Sequence, residues 1–179
     1  MKTKSFLFLL LLGILSGCDQ LDDLLSRKVS TTLTVSHSFT VTTQNQVTKS
    51  GGPSAVVYVF TATKDLSLND NEDLSDLLNK IKSMSVQSAT AQFLNLQPNQ
   101  TILTLSVKVD GQEVFTKTNI TSANSAFVPD ISMANLEYIA SRLTANKKIT
   151  VTISGTTNSP TMTFGSNLGF EVEVDVKLL

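Results

Sequence analysis

The C-terminal segment alternates without a break. Phe170, Val172, Val174, Val176 and Leu178 form one set, and Glu171, Glu173, Asp175 and Lys177 form the other. In an extended strand, successive side chains point to opposite faces and residues two apart share one. Such a segment packs one face on a core and leaves the other in water. A helix would scatter both sets around its axis.

The same period runs through much of the chain. Leu33, Val35, His37, Phe39 and Val41 share one face, with Ser and Thr between them. Ala55–Thr63 is almost continuously apolar, which predicts a central strand buried on both faces. Met84–Leu96 has extended character. Leu103, Leu105, Val107 and Val109 alternate up to Asp110-Gly111, and Val114 and Thr116 continue beyond it. Asp-Gly between two such runs marks a hairpin, because a type I′ turn needs positive φ at both central residues. Ile149, Val151 and Ile153 predict a further strand, and Thr161–Phe164 a short one. Gln44–Ser54, with Gly51-Gly52-Pro53, and Asn119–Pro129 read as loops.

Two segments change period. Leu74, Leu77, Leu78 and Ile81 fall at i, i+3, i+4 and i+7, one face of a helix. Asn69 and Glu72 stand at capping-box spacing before it. Leu136, Ile139, Ala140 and Leu143 form a second stripe, with Ser132 placed to cap its start and Asn146 to close it. Strands dominate and no βαβ repeat occurs. The expected fold is mainly β: an antiparallel β-sandwich, Ig-like or jelly-roll-like, of seven or eight strands with two short helices.

The first residues are of another kind. Lys2 and Lys4 precede an apolar run, Phe6–Leu15, broken only by Gly13. That run is too short for a permanent membrane helix, which needs about 20 apolar residues, and it has the flanks of an export signal. It ends in Leu15-Ser16-Gly17-Cys18, which resembles the lipobox of bacterial lipoprotein precursors. The resemblance covers these first 18 residues alone. It implies cleavage before Cys18, a diacylglycerol on the Cys18 sulfur and membrane attachment through that lipid. The implied division is a signal peptide at 1–17, an acylated tether at 18–28 and one sandwich domain at 29–179. The expected location is the outer membrane, at its periplasmic or cell-surface face. Asp19–Leu25 carries three acids; in some lipoproteins such a run directs the chain to the cell surface, and in others Asp after the Cys retains it at the inner membrane.

Composition narrows the function. Of 14 basic residues, Lys2 and Lys4 belong to the signal, so 12 face 15 acids in the remainder, a net charge near −3. The basic residues are scattered, which disfavours nucleic acid as a partner. Cys18 is the only cysteine, so no disulfide forms within the chain. His37 is the only histidine, and it lies on the apolar face of a strand, as a core residue would. A core histidine and a lipid-bearing cysteine leave no Ser-His-Asp, Cys-His or ordinary zinc set.

Three weaker candidates remain. Glu171, Glu173 and Asp175 stand two residues, roughly 7 Å, apart on one strand face, a spacing that suits paired-acid hydrolysis; Lys177 continues the row, as on a solvated face. Asp65–Asp76 is rich in oxygen ligands, but Asp70 and Asp76 occupy the places where an EF-hand needs Gly and Glu, so acidic capping of a helix is favoured over calcium. Phe127 falls in a loop, as a plug or as a binding anchor. Tyr58 and Tyr138 are the only two tyrosines, and there is no tryptophan, which leaves few rings for a sugar platform.

The sequence therefore predicts no catalytic set, no cofactor and no metal. It predicts a lipid-anchored, non-enzymatic binding, structural or adhesion module of the envelope with a protein or glycan partner. Its loops at Gln44–Ser54 and Asn119–Pro129 are the expected contact surfaces. A periplasmic carrier or chaperone for an apolar ligand is the alternative.

Overall fold

The computed structural model describes residues 26–48 and 56–178. Among these residues, nine strands form two antiparallel sheets. They are β1 (Ser26–Val41), β2 (Gln46–Thr48), β3 (Val56–Ser67), β4 (Ile81–Leu94), β5 (Ile102–Val109), β6 (Gln112–Ile120), β7 (Ala126–Phe127), β8 (Lys148–Thr157) and β9 (Met162–Lys177). One sheet has the order β1-β9-β4-β7 and the other β2-β3-β8-β5-β6. The pairs β1·β9, β3·β8, β4·β7 and β5·β6 are all antiparallel. With short β2 set aside, this is a long strand hairpin rolled up into two four-stranded sheets. Of the two sandwich topologies, the strand order is that of a jelly roll.

The alternation works as expected where it is cleanest. β1 and β9 pair from Ser26↔Lys177 to Val41↔Met162 without a slip. Their inward row includes Leu33, Val35, Phe39 and Val41 on β1, and Phe164, Leu168, Phe170, Val172 and Val174 on β9, all buried. Phe39 and Phe164 stack with centroids 4.7 Å apart, and the Phe60 ring meets Phe164 edge-on at 5.2 Å. Thr161–Phe164 is not a separate strand: from Met162 it is the start of β9, which runs straight through Gly165 and Gly169.

Asp110 and Gly111 take φ of 47° and 86°, the hairpin turn their sequence predicts. The Asp110 carboxylate accepts from Thr150 N–H at 2.8 Å and from Arg142 Nε at 2.7 Å. These bonds tie the turn to β8 and to the helix.

Only the second expected helix is an α-helix. It is α1 (Met133–Asn146), capped by Ser132, whose hydroxyl accepts from Asn135 N–H, and it buries Ile139, Ala140 and Leu143. Lys147, with φ of 59°, closes it in place of Asn146. The first expected helix is replaced by two 3₁₀ turns, Leu68–Asp70 and Ser75–Lys80. The Asn69–Glu72 capping box does not form. Ser67 Oγ accepts from Asn69 N–H, and Asn71 Oδ1 from Asp73 N–H. This segment crosses from one sheet to the other. A 3₁₀ turn rises about 2.0 Å per residue against about 1.5 Å in an α-helix, so it spans the gap with fewer residues. Leu68 and Leu74, both fully buried, seal this end of the sandwich.

Two other expectations change. β3 is not buried on both faces: only β2 lies beyond it, and Val56 and Val59 are exposed. A two-layer sandwich covers one face of each sheet. On β5, a register shift between Ile102 and Thr104 puts Ile102 in the core where Leu103 was expected. β1 starts at Ser26, so residues 26–28 belong to the strand.

Candidate functional site

The connections of a jelly roll collect at its two ends, and here the ends differ in charge. At the end where β1 finishes, four connections are described: Thr42–Asn45, Asn95–Thr101, Thr121–Ser125 and Asn158–Thr161. None contains Asp, Glu, Lys or Arg. The connection 49–55 at that end, which includes Lys49, lies outside the described residues, as does most of the expected Gln44–Ser54 contact loop. At the opposite end lie Asp70, Glu72, Asp73, Asp76, Lys80, Lys147 and Lys148.

The uncharged loops are held by side-chain amides. Asn45 Oδ1 accepts from Thr42 N–H and Thr42 Oγ1, both at 2.9 Å. Asn124 Oδ1 accepts in the same way from Thr121 N–H and Oγ1, at 2.6 and 3.1 Å. Both are Thr-x-x-Asn segments in which the amide takes up backbone donors that a short 3₁₀ turn leaves free. Asn158 ties two loops together, accepting from Thr101 N–H at 2.8 Å and donating to the Asn99 carbonyl at 3.2 Å. Asn95 and Asn119 sit at positive φ, which asparagine tolerates. Between three of these connections lies an open cleft of about 430 Å³, lined by Thr42, Asn95, Gln97, Gln100 and Thr161 together with Val41 and Met162. Two of these connections overlap the expected contact loops. The repeated Thr-x-x-Asn caps and the lack of charge are visible in the sequence, but the gathering of the four connections at one end is not.

Phe127 is a plug. It is half-buried in β7, stacks on Phe93 at 6.4 Å and lies beneath Lys117 Nζ, 5.2 Å from its ring centroid. Tyr58 and Tyr138 pack partly buried against the core.

The acidic candidates do not converge. Glu173 pairs with Lys28 at 2.8 Å, and Glu171 accepts from Ser88 Oγ at 2.7 Å. Both lie along one strand, facing no acid across a cleft. In the Asp65–Asp76 segment, the Thr150 hydroxyl and the Lys148 ammonium hold the Asp65 carboxyl below its usual range, and Asp73 accepts from Thr31 Oγ1. Among the described residues, no three metal-ligating side chains gather in one place.

His37 is buried. Its Nε2 donates to the Val151 carbonyl at 3.3 Å, and its ring stacks on Phe39. Burial pushes its pKa down from the ordinary 6.5, and the nearby Lys64 ammonium adds to this against the Val151 carbonyl. The unfolded chain therefore takes up this proton first. The stability the neutral ring contributes is complete above about pH 6.5 and is lost as the pH falls toward the folded value. Denaturant midpoints between pH 7 and pH 5 are expected to fall more steeply in the wild type than in His37→Gln, which stays neutral. Parallel slopes would show that His37 is not the titrating group.

Cys18 and the lipobox lie outside the described residues. Among the described residues, no helix is long and apolar enough to cross a membrane.

No family model matches the chain and no curated protein matches it. Solved structures similar to it include a viral capsid protein, two plant viruses and a β-D-glucuronidase. The decameric BFDV capsid protein is 12% identical with a TM-score of 0.42, over 83% of this chain and 99% of that one. Cocksfoot mottle virus is 9% identical with a TM-score of 0.42, over 84% of each chain. Turnip yellow mosaic virus is 11% identical with a TM-score of 0.36, over 86% of this chain and 97% of that one. These TM-scores all lie below 0.5, and the jelly-roll assignment stands on this chain's own strand order.

Proposed function

We propose that this chain is a non-enzymatic, lipid-anchored module of the bacterial cell envelope. Acylated at Cys18, it stands on the outer membrane and presents the end where β1 finishes to an envelope protein or glycan. The observation that carries the reading is the polarity of the sandwich. β1 begins at Ser26, eight positions after Cys18, and so few residues reach at most about 28 Å. An anchor at Cys18 therefore puts the charged end near the lipid and the amide-held loops with their cleft away from it. The absence of charge from the four described connections suits a neutral polar partner, which need not be stripped of counter-charges on binding.

The carrier alternative draws less support, because the inward rows of both sheets merge into one continuous apolar core.

Cys18→Ser is expected to move the chain from the membrane pellet to the soluble fraction. Retention in the pellet would sink the anchor. A photo-crosslinking residue at Gln97 or Ser122 is expected to capture envelope material in intact cells, while one at Asn79 does not. Adducts at Asn79 alone would reverse the proposed orientation.

A further inference from the structure

β1 is the outer strand of its sheet and sixteen residues long. A strand edge of that length is a template for pairing with another chain. In an antiparallel ladder, alternate residues exchange both their bonds with the neighbour, and those between point both groups away from it. Thr32 and Ser36 belong to the outward row of β1, and both of their carbonyls are covered by side chains from elsewhere. Asn71 Nδ2 donates to the Thr32 carbonyl at 3.4 Å and to Thr31 Oγ1 at 3.2 Å. Lys64 Nζ donates to the Ser36 carbonyl at 3.4 Å. Lys64 is unusual in its place: it stands opposite Val151 in register, on the β3 row that otherwise carries Phe60, Ala62 and Leu66 to the core. A charged side chain on an inward row is a recognised means of blocking an edge.

The two covered carbonyls lie symmetrically about Thr34. A two-fold axis there would pair Thr32 of one copy with Ser36 of the other, Ser30 with Ser38, and Lys28 with Thr40, so no like charges meet. The two guards occupy the carbonyl acceptors of the pairs that flank such an axis.

We propose that Lys64 and Asn71 hold the β1 edge shut, and that the surface they guard fits the β1 edge of a second copy of this chain. Uncapping it joins the two four-stranded sheets across the axis into one of eight.

The test is the mass of the full chain in detergent, by light scattering with the detergent contribution subtracted. The wild type is expected to be a monomer. Lys64→Met keeps the aliphatic stem, and Asn71→Ser keeps an oxygen for Asp73 N–H. The double variant is expected to double in mass over the same concentration range. Adding Thr34→Pro, which removes an outward N–H that an edge strand can spare, is expected to restore the monomer. Lys64→Arg, which keeps donors at the edge, is expected to stay monomeric. Lys64→Met alone leaves the Asn71 turn intact and is expected to give a partial dimer, which keeps the test decisive if the double variant fails to fold. A wild-type dimer would overturn the proposal. So would folded variants that remain monomeric, or a dimer indifferent to Thr34→Pro.

Discussion

Phe164→Ala is expected to destabilise the domain by about 4 kcal/mol, within the usual range for truncating a buried aromatic residue. Phe164 is 1% exposed. Its ring stacks on Phe39 at 4.7 Å, meets Phe60 edge-on at 5.2 Å and lies 6.3 Å from Phe93. These partners come from β1, β3 and β4, so one ring on central β9 joins both sheets. A domain of this size has a total stability of roughly 5–15 kcal/mol, and the loss consumes a large share of it. Chemical denaturation is expected to show a much lower midpoint with an unchanged slope. Phe127→Ala, which removes a half-buried ring from a two-residue edge strand, is expected to cost about 1 kcal/mol. Equal losses at the two sites would mean that the aromatic cluster is not the packing centre.

Gly155→Ala is the second large effect, expected at about 3 kcal/mol, as for overpacking that forces the backbone to move. Gly155 lies on the inward row of β8, between β3 and β5. A Cβ there would overlap the Thr104 carbonyl oxygen and come within 2.7 Å of Phe60 Cζ. The ring could turn aside, but the carbonyl belongs to the bulged part of β5 and moves only with its strand. Phe60→Leu is therefore expected to recover little of the loss. Gly165→Ala is the control: its new methyl would meet the His37 carbonyl at 3.5 Å and Leu94 at 3.7 Å, ordinary contacts. It is expected to change stability by less than about 0.5 kcal/mol. Equal costs at the two glycines would show that the close approach of β3, β5 and β8 is misplaced.

What could be read in advance follows from how far each signal reaches along the chain. Alternation is local, so β1, β4, β8 and most of β9 were legible, as was the Asp110-Gly111 turn. Gly165 and Gly169 obscured the first part of β9, because a glycine looks like an interruption until its neighbours are known. Gly169 is small because a Cβ there would lie 2.8 Å from Thr90 Oγ1 and 3.4 Å from Thr32 Cγ2 on the flanking strands. The Leu74–Ile81 stripe reads as one face of an α-helix, and the structure winds Ser75–Lys80 as 3₁₀ instead. Its 3₁₀ winding depends on the distance between sheets, which the sequence does not carry. Val59 reads as core because apolar runs do not say which sheet face is covered.

The candidate site was less legible still. His37 was placed correctly in the core by parity alone. The absence of charge in each of the four connections is plain in the sequence, but only the strand order brings them to one end of the sandwich. The role of Lys64 was hidden for the same reason: its inward parity is visible, but the β1 edge beside it is not.

The mass of the N-terminal peptide of the chain purified from bacterial membranes tests the lipid anchor. The expected peptide begins at Cys18 and carries a diacylglycerol on its sulfur, usually with a further acyl chain on its amino group. A peptide that retains residues 1–17, or an unmodified Cys18 in membrane-derived protein, would contradict it.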